Sequence, residues 1–222
     1  IGSPFSMPVE FAVAAYRFGH SVIRNLYWTN FNFPNATLGQ VFQFSRSPNL
    51  PMFSNWVVDF NAFFDTGVSV PINNKARKID SIMANGLENL PGLSGMLAIL
   101  ATRNLRRSLA LGLPSGQGMA SSFGITPMTT AQLTSGLPAN EVTILNSSGG
   151  LLLSKTPLWY YVLREAAVLG NGNQLGPFIR MLKRDATSYL NLSGGFTPML
   201  PSVTEGDFTV ADLVIFAGVT TP

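Results

Sequence analysis

The sequence predicts a mainly α fold with long irregular loops, and three observations predict it. Apolar residues recur at three- and four-residue spacing in several segments set apart by long connections. The ends of those segments carry helix punctuation drawn from 15 Pro and 21 Gly. No stretch alternates cleanly enough for a sheet, and no internal repeat appears.

Pro8, Glu10 in the first turn, and Phe11, Val13, Ala14, Ala15, Phe18, Val22 and Ile23 predict a first helix over about 8–25. Residues 26–73 are rich in aromatics and in Asn, Pro and Ser, with Trp28, Phe33, Phe44, Trp56 and Phe60 among them. They predict irregular structure with a short helix around 56–64. Further helices are expected at about 76–88, 96–111, 129–135, 157–169, 178–190 and 209–217. Gly112 followed by Pro114 stops the helix at 96–111, Thr156-Pro157 opens that at 157–169 and Gly170 closes it, while Thr209 and Asp212 form a capping box. Glu10, Glu165 and Asp212 read as helix-end charges. Gly112 to Gln117 is Gly-rich but lacks the Lys-Ser/Thr of a phosphate loop, so it reads as a helix cap and turn.

A chain of 222 residues and 23.9 kDa suits one domain with a real core. It is 46% hydrophobic and 11% charged, against about a quarter charged in a typical soluble domain. That excludes disorder and predicts that more surface than usual is covered, by a further part of the same fold, a partner or a membrane. No apolar run reaches the ~18 residues needed to cross a bilayer, so no transmembrane segment is expected. A net charge of +3 is spread over small groups such as Arg103, Arg106 and Arg107, too thin for a nucleic-acid footprint.

Zero cysteines exclude disulfides, thiol nucleophiles, iron–sulfur clusters and cysteine-built zinc sites. One histidine, His20, excludes any site within this chain that needs two imidazoles. The compartment is unread. Asn35-Ala36-Thr37, Asn146-Ser147-Ser148 and Asn191-Leu192-Ser193 fit the glycosylation acceptor pattern, but such triplets arise by chance and the absent cysteines give no support for secretion. An extracellular or secreted location is only slightly favoured as an expectation.

On the first predicted helix His20 shares its face with Tyr16, Arg17, Ile23 and Arg24. Two readings stand: a buried, hydrogen-bonded histidine beside surface arginines, or a neutral imidazole that binds a metal while the arginines answer negative charge on a cofactor. On the helix at 96–111, Leu97, Leu100, Ala101, Asn104, Ser108 and Leu111 fall along one stripe, so Asn104 interrupts a face that should be buried. A buried amide needs partners. Placed beside His20, its carbonyl oxygen would accept the proton of one ring nitrogen and point the other at a metal.

The stretch MPVEFAVAAYRFGHSVIRN resembles the proximal-histidine helix of the peroxidase–cyclooxygenase superfamily, the myeloperoxidase-like haem peroxidases, where an Arg-Phe-Gly-His run carries the iron ligand. ARKIDSIMANGLENLPG, LAILATRNLRRSLALGLPSGQ, TPLWYYVLREAAVLGNGNQLGP and DATSYL…PMLPSVTEGDFTVADLVIFAGV resemble landmarks of the bacterial-type members, in the same order, over about residues 5–219. The resemblance implies the haem-peroxidase helical fold, here incomplete, with 1–222 as the proximal, C-terminal portion of its catalytic domain. It implies His20 as the proximal ligand of the iron of a haem b, covalently linked or not, and Asn104 as the asparagine hydrogen-bonded to that ligand. Arg17 and Arg107 match arginines near the haem propionates, with a solvated helix face as the other reading of Arg107.

The superfamily's fatty-acid dioxygenases and cyclooxygenases keep a radical-forming tyrosine three residues before the proximal histidine. Arg17 stands there, and Tyr16 is one position off, about 100° away around a helix. Peroxidase is therefore favoured over lipid oxygenation. Two departures follow from the same comparison. The family's distal histidine and arginine, its calcium loop and its haem-linking carboxylates lie upstream of the proximal helix, and no second histidine exists here, so no catalytic acid–base residue is assignable. Near Phe178-Ile179 relatives have roughly ten more residues, so the join reads as a deletion or a gap.

The expectation is a haem peroxidase that reduces hydrogen peroxide and oxidises small aromatic or halide donors. Its distal groups, and any calcium, come from the remainder of the polypeptide or a companion chain. The alternatives are a degenerate, non-enzymatic haem-binding or interaction module of the same fold and, second, a haem fatty-acid dioxygenase.

Overall fold

The structure, a computed structural model of the chain, describes residues 8–45, 51–72 and 74–178. In chain order it has α1 (Val9–Val13), a 3-10 segment (Ala15–His20), β1 (Leu26–Tyr27), β2 (Ala36–Thr37), α2 (Leu38–Phe44), α3 (Leu100–Ala110), α4 (Gly116–Ser122), α5 (Thr130–Thr134), α6 (Ala139–Asn146), α7 (Leu151–Ser154) and α8 (Leu158–Leu169). Short 3-10 turns lie at Ser54–Trp56, Phe60–Ala62, Asn85–Leu87 and Gly95–Ala98. Among the described residues the class is mainly α, as the spacing predicts. The expected helices at 178–190, past its first residue, and 209–217, with the Thr209–Asp212 box, lie outside the described residues. No helix among the described residues is long and apolar enough to cross a membrane.

Contacts divide the described chain into two compact units, one holding the residues before Arg24 and after Ala76, the other those from Arg24 to Ala76. The first unit packs around α8, whose Leu158, Trp159, Tyr161, Val162, Leu163 and Ala166 are all buried. A helix apolar around most of its girth belongs in a core. Its ends follow the predicted punctuation, with Pro157 at the N-cap and Gly170 at the C-cap. α4 reaches α8 through Gly116, where a Cβ atom would lie 2.0 Å from Cγ of Tyr161, so no other residue fits without displacing the ring. The Tyr161 hydroxyl in turn accepts the Met128 N–H at 2.9 Å.

The short helices α4, which the sequence does not announce, and α5, which it does, are tied down by polar side chains. The Ser115 hydroxyl accepts the Gly118 N–H and caps α4, which fits the cap-and-turn reading of 112–117. Gln117 then donates through Nε2 to the Leu153 carbonyl and to Thr156 Oγ1, each at 2.8 Å, and accepts the Thr156 N–H at 2.9 Å. A capping box of Thr129 and Gln132 opens α5, inside the helix expected at 129–135.

Two expectations about this unit are corrected. No α-helix forms over 76–88; a 3-10 turn at Asn85–Leu87 is its helical remnant. Its backbone donors are committed elsewhere: Arg77 N–H to the Val22 carbonyl at 3.3 Å, Ile79 N–H to the Gly172 carbonyl at 2.8 Å, and Ile82 N–H to the Asp80 carboxylate. Donors spent on distant carbonyls cannot close helical turns. Glu165, expected as a helix-end charge, is 1% exposed in the body of α8, and its carboxylate accepts the Phe178 N–H at 3.2 Å. Beside it Arg164 donates through Nε to the Leu133 carbonyl at 2.8 Å and through Nη2 to the Ser135 carbonyl, which satisfies a guanidinium that is also buried.

The second unit is built on aromatic rings. Trp56, 1% exposed, meets Phe33 and Phe44 edge-on at 4.7 and 4.8 Å between centroids. Trp28 is held by Asn74, whose amide accepts the Trp28 N–H at 2.9 Å and donates to the Trp28 carbonyl at 2.7 Å, as a neighbouring strand would. β1 pairs antiparallel with β2, and a Thr37–Gln40 capping box starts α2. The short helix expected at 56–64 is replaced by two 3-10 turns, because Asp59 Oδ1 accepts both Asn61 N–H groups, backbone and side chain, and fixes a tight turn there.

Candidate cofactor site at His20

The single helix predicted over 8–25 breaks after α1. Ala14 leaves helical geometry (φ −120°, ψ −64°), and Ala15–His20 winds as a 3-10 segment. Phe18 to Ile23 contains Gly, Ser and β-branched residues, weak helix formers that let tertiary contacts decide. Ala14 and Ala15 are fully buried in the cluster that includes α8, and the Trp159 indole N–H of α8 donates to the Arg17 carbonyl at 3.2 Å. Ser21 closes the segment by donating both its N–H and its hydroxyl to the Phe18 carbonyl.

This tighter winding sets the site. With three residues per turn, Arg17 and His20 stand over one another. Tyr16, placed on the His20 face by α-helical spacing, is instead 67% exposed and packs its ring on Phe11. Arg24, also expected there, lies in the second unit and donates through Nη1 to the Lys75 carbonyl at 2.8 Å.

α3 supplies the other wall. Asn104 is fully buried and Ser108 nearly so, as the stripe predicts, while Leu97 and Leu111 at the stripe's two ends are exposed. The helix stops as expected: Gly112 takes φ 62°, its N–H donates to the Leu109 carbonyl, and the Leu113 N–H to the Ser108 carbonyl, each at 3.0 Å. This is the Schellman arrangement, which favours glycine at the left-handed position.

Asn104 joins two residues of the 3-10 segment from 84 and 87 positions away. Its Nδ2 lies 3.0 Å from His20 Nδ1, and its Oδ1 accepts a hydrogen bond from Arg17 Nη1 at 3.0 Å. The expected neighbourhood of His20, Asn104 and Arg17 is therefore present. Its polarity is reversed from expectation. Arg17 has only donors and claims the amide oxygen, so the amide presents N–H, not C=O, to the imidazole.

Electrostatics make the site basic. Burial and the Arg17 charge both hold the His20 pKa below the usual histidine value, so the ring is neutral at pH 7. Burial lowers the Arg17 pKa, and Arg107 and Arg103 lower it further. Arg107 thus stands where its charge reaches Arg17, on an exposed part of α3. Arg103 acts in the same way, and its i, i+4 spacing to Arg107 is the signal in the sequence for a shared face. Arg17 Nε is buried with no acceptor among the described residues.

Both halves of this arrangement fit a haem. Among the described residues no carboxylate is paired with the guanidiniums of Arg17, Arg103 and Arg107, and Arg17 has an orphaned N–H, which suits the propionates of such a group. His20 Nδ1 faces the Asn104 amide at 3.0 Å, which leaves Nε2 as the ring nitrogen that would take a metal, on loss of its proton. No group of three or more His, Asp or Glu among the described residues could hold a metal ion by itself. Elsewhere in this unit a cleft of about 550 Å³, lined by Leu105, Leu109, Leu113 and Leu152 with Arg106 and Lys155, went unforeseen. Its apolar residues come from separate elements, which no single-segment periodicity reveals. Compared with protein-family models, with curated proteins and with solved structures, the chain matches none.

Proposed function

We propose that this chain is the proximal, haem-holding portion of a haem peroxidase, which reduces hydrogen peroxide while oxidising small aromatic or halide donors. The observation that carries the reading is the meeting of Arg17, His20 and Asn104 through one buried amide. These three were singled out by the Arg-Phe-Gly-His and Arg-Asn-Leu-Arg-Arg runs they stand in. Haem would supply the redox-active iron. His20 is the residue to hold that iron, once its ring nitrogen is free of its proton, and Arg17 and Arg107 are those to hold the propionates. With a single histidine in the sequence, the distal acid–base group must come from outside it. The dioxygenase alternative gains nothing from Tyr16, which is exposed and packs its ring on Phe11.

Haemin titration tests this. The wild-type chain is expected to bind one equivalent with a shifted Soret band, and His20→Ala to lose that spectrum. A spectrum unchanged in His20→Ala removes the ligand assignment, and no binding by the wild type favours the interaction-module alternative. Loaded chain alone should turn over peroxide no faster than free haemin; robust turnover would contradict the external distal site.

A further inference from the structure

We propose that the cleft beside α3 is a binding site for an aliphatic carboxylate, whose alkyl chain sits among leucines while its head group answers Arg106 and Lys155. The cleft measures about 550 Å³, within the ~300–1,000 Å³ of sites that hold small molecules. The backbone around it is pinned. Ser115 and Pro157 form an isolated antiparallel bridge, and the Gly116 N–H donates to the Thr156 carbonyl at 2.9 Å. The Gln117 amide ties the same segment through the Leu153 carbonyl and Thr156. Leu158, which is buried at the start of α8, also lines the cleft. A cavity held in this way does not have to be ordered by its ligand.

The lining decides what fits. Leu105 and Leu109 stand at i and i+4 on α3, and Leu152 comes from α7. Leu109 is 83% exposed, and a bound chain would take its apolar surface out of water. No aromatic ring lines the cleft to stack on a planar ligand, so its walls suit an alkyl chain. The Ser108 hydroxyl is turned back to the Asn104 carbonyl at 3.1 Å and gives the cavity no donor. The charged lining is wholly basic. Arg106 and Lys155 are exposed, no carboxylate lines the cleft, and neither cation has an ion pair or hydrogen bond among the described residues. A ligand with one apolar end and one anionic end answers both features, and its head group stays at a wet rim where little desolvation is needed. The side chains of Arg17, His20 and Asn104 take no part, so the site stands whether or not haem binds.

Calorimetry of the full chain with decanoate, below its micellar concentration and without haemin, tests this. One equivalent is expected to bind, with affinity rising up to about fourfold for each methylene added from hexanoate to decanoate and falling with salt. Arg106→Gln and Lys155→Gln together, both at exposed positions, should weaken decanoate about tenfold, as two exposed ion pairs allow, and leave decanol unchanged. Leu109→Gln, also exposed, should weaken both ligands alike. Arg103→Glu should affect decanoate far less than the Arg106 and Lys155 pair does. Circular dichroism confirms that each variant is folded. No binding by the wild type, decanol binding as tightly as decanoate, or affinity that follows Arg103 and ignores Arg106 and Lys155 overturns the proposal. A wild-type dimer that binds no decanoate and that Leu109→Gln breaks apart overturns it in favour of a second copy of the chain over the cleft.

Discussion

Nδ2 of Asn104 lies 3.0 Å from Nδ1 of His20, across 84 positions of sequence. Because Asn104 is fully buried and also serves Arg17, its removal strands polar atoms on both partners. Asn104→Leu should cost about 1–3 kcal/mol, the usual range for leaving buried groups unsatisfied. Urea unfolding measures it. Asn104→Asp keeps the shape and gives Arg17 a charged partner, so it should unfold later than the Leu variant and titrate His20 at higher pH than the wild type.

The pH response of His20 has a definite sign. Its folded-state pKa is depressed by burial and then by Arg17. Above the unfolded value of about 6.5 both states are neutral and the ring contributes no pH dependence. As pH falls below about 6.5, the unfolded chain takes up a proton that the folded chain refuses, so stability is lost until the folded pKa is passed. The difference in unfolding free energy between wild type and His20→Gln should therefore be flat above pH 7 and slope against the wild type in acid. A flat difference throughout would show that the ring is as free in the fold as in water.

Much of this was legible in the sequence, and the residues show where legibility stopped. Pro157, Gly170 and Gly112 act through local backbone chemistry, so α8 and the end of α3 were readable from a few neighbours. Asn104 was readable because a single polar residue interrupted an apolar stripe. The region 76–88 has helical spacing yet forms no α-helix, since the partners of its donors, Val22 and Gly172, lie far away in the chain. The 3-10 segment Ala15–His20 is tied to the core by Trp159, 142 positions from Arg17, and no local rule contains that contact. The direction of the Asn104 amide likewise needed all three side chains at once.

Gly116 predicts a sharp packing penalty. A methyl group there would stand 2.0 Å from Tyr161 Cγ, where the ring is fully buried and its hydroxyl is engaged by Met128. With the ring held in this way, Gly116→Ala should lose at least the ~1–3 kcal/mol typical of overpacking despite alanine's better helix propensity. Equilibrium unfolding checks the magnitude. Gly118→Ala, whose Cβ would meet the Ser115 hydroxyl at 3.3 Å, is the milder control in the same helix.

Trp159 predicts a link between the core and the site. Its indole N–H is the donor on the Arg17 carbonyl at 3.2 Å, and Trp159→Phe removes that donor while keeping most of the apolar surface. The lost hydrogen bond and the smaller ring together should cost about 1–2 kcal/mol. Hydrogen exchange should quicken at Phe18 to Ser21 more than at α3. Equal acceleration in both segments would mean that the indole supports the core generally and not the His20 segment.

Arg103 and Arg107 allow a solvated helix face to be told from an anion site. They stand at i and i+4 on α3, where like charges disfavour a helix by about 0.2–0.5 kcal/mol. Replacing Arg103 by Glu turns that repulsion into attraction, with the acidic residue on the N-terminal side, and removes a charge that acts on Arg17. The variant should therefore be more stable by several tenths of a kcal/mol in low salt, an advantage that shrinks in 0.5 M NaCl as screening grows. Anion binding should move the other way: glutarate or haemin affinity should fall several-fold, because the charge that burdens the free helix is one that draws the anion. A variant gaining stability with unchanged affinity would make the arginine pair an ordinary surface feature. Gain of stability together with loss of affinity is what a site held under electrostatic tension for its ligand requires.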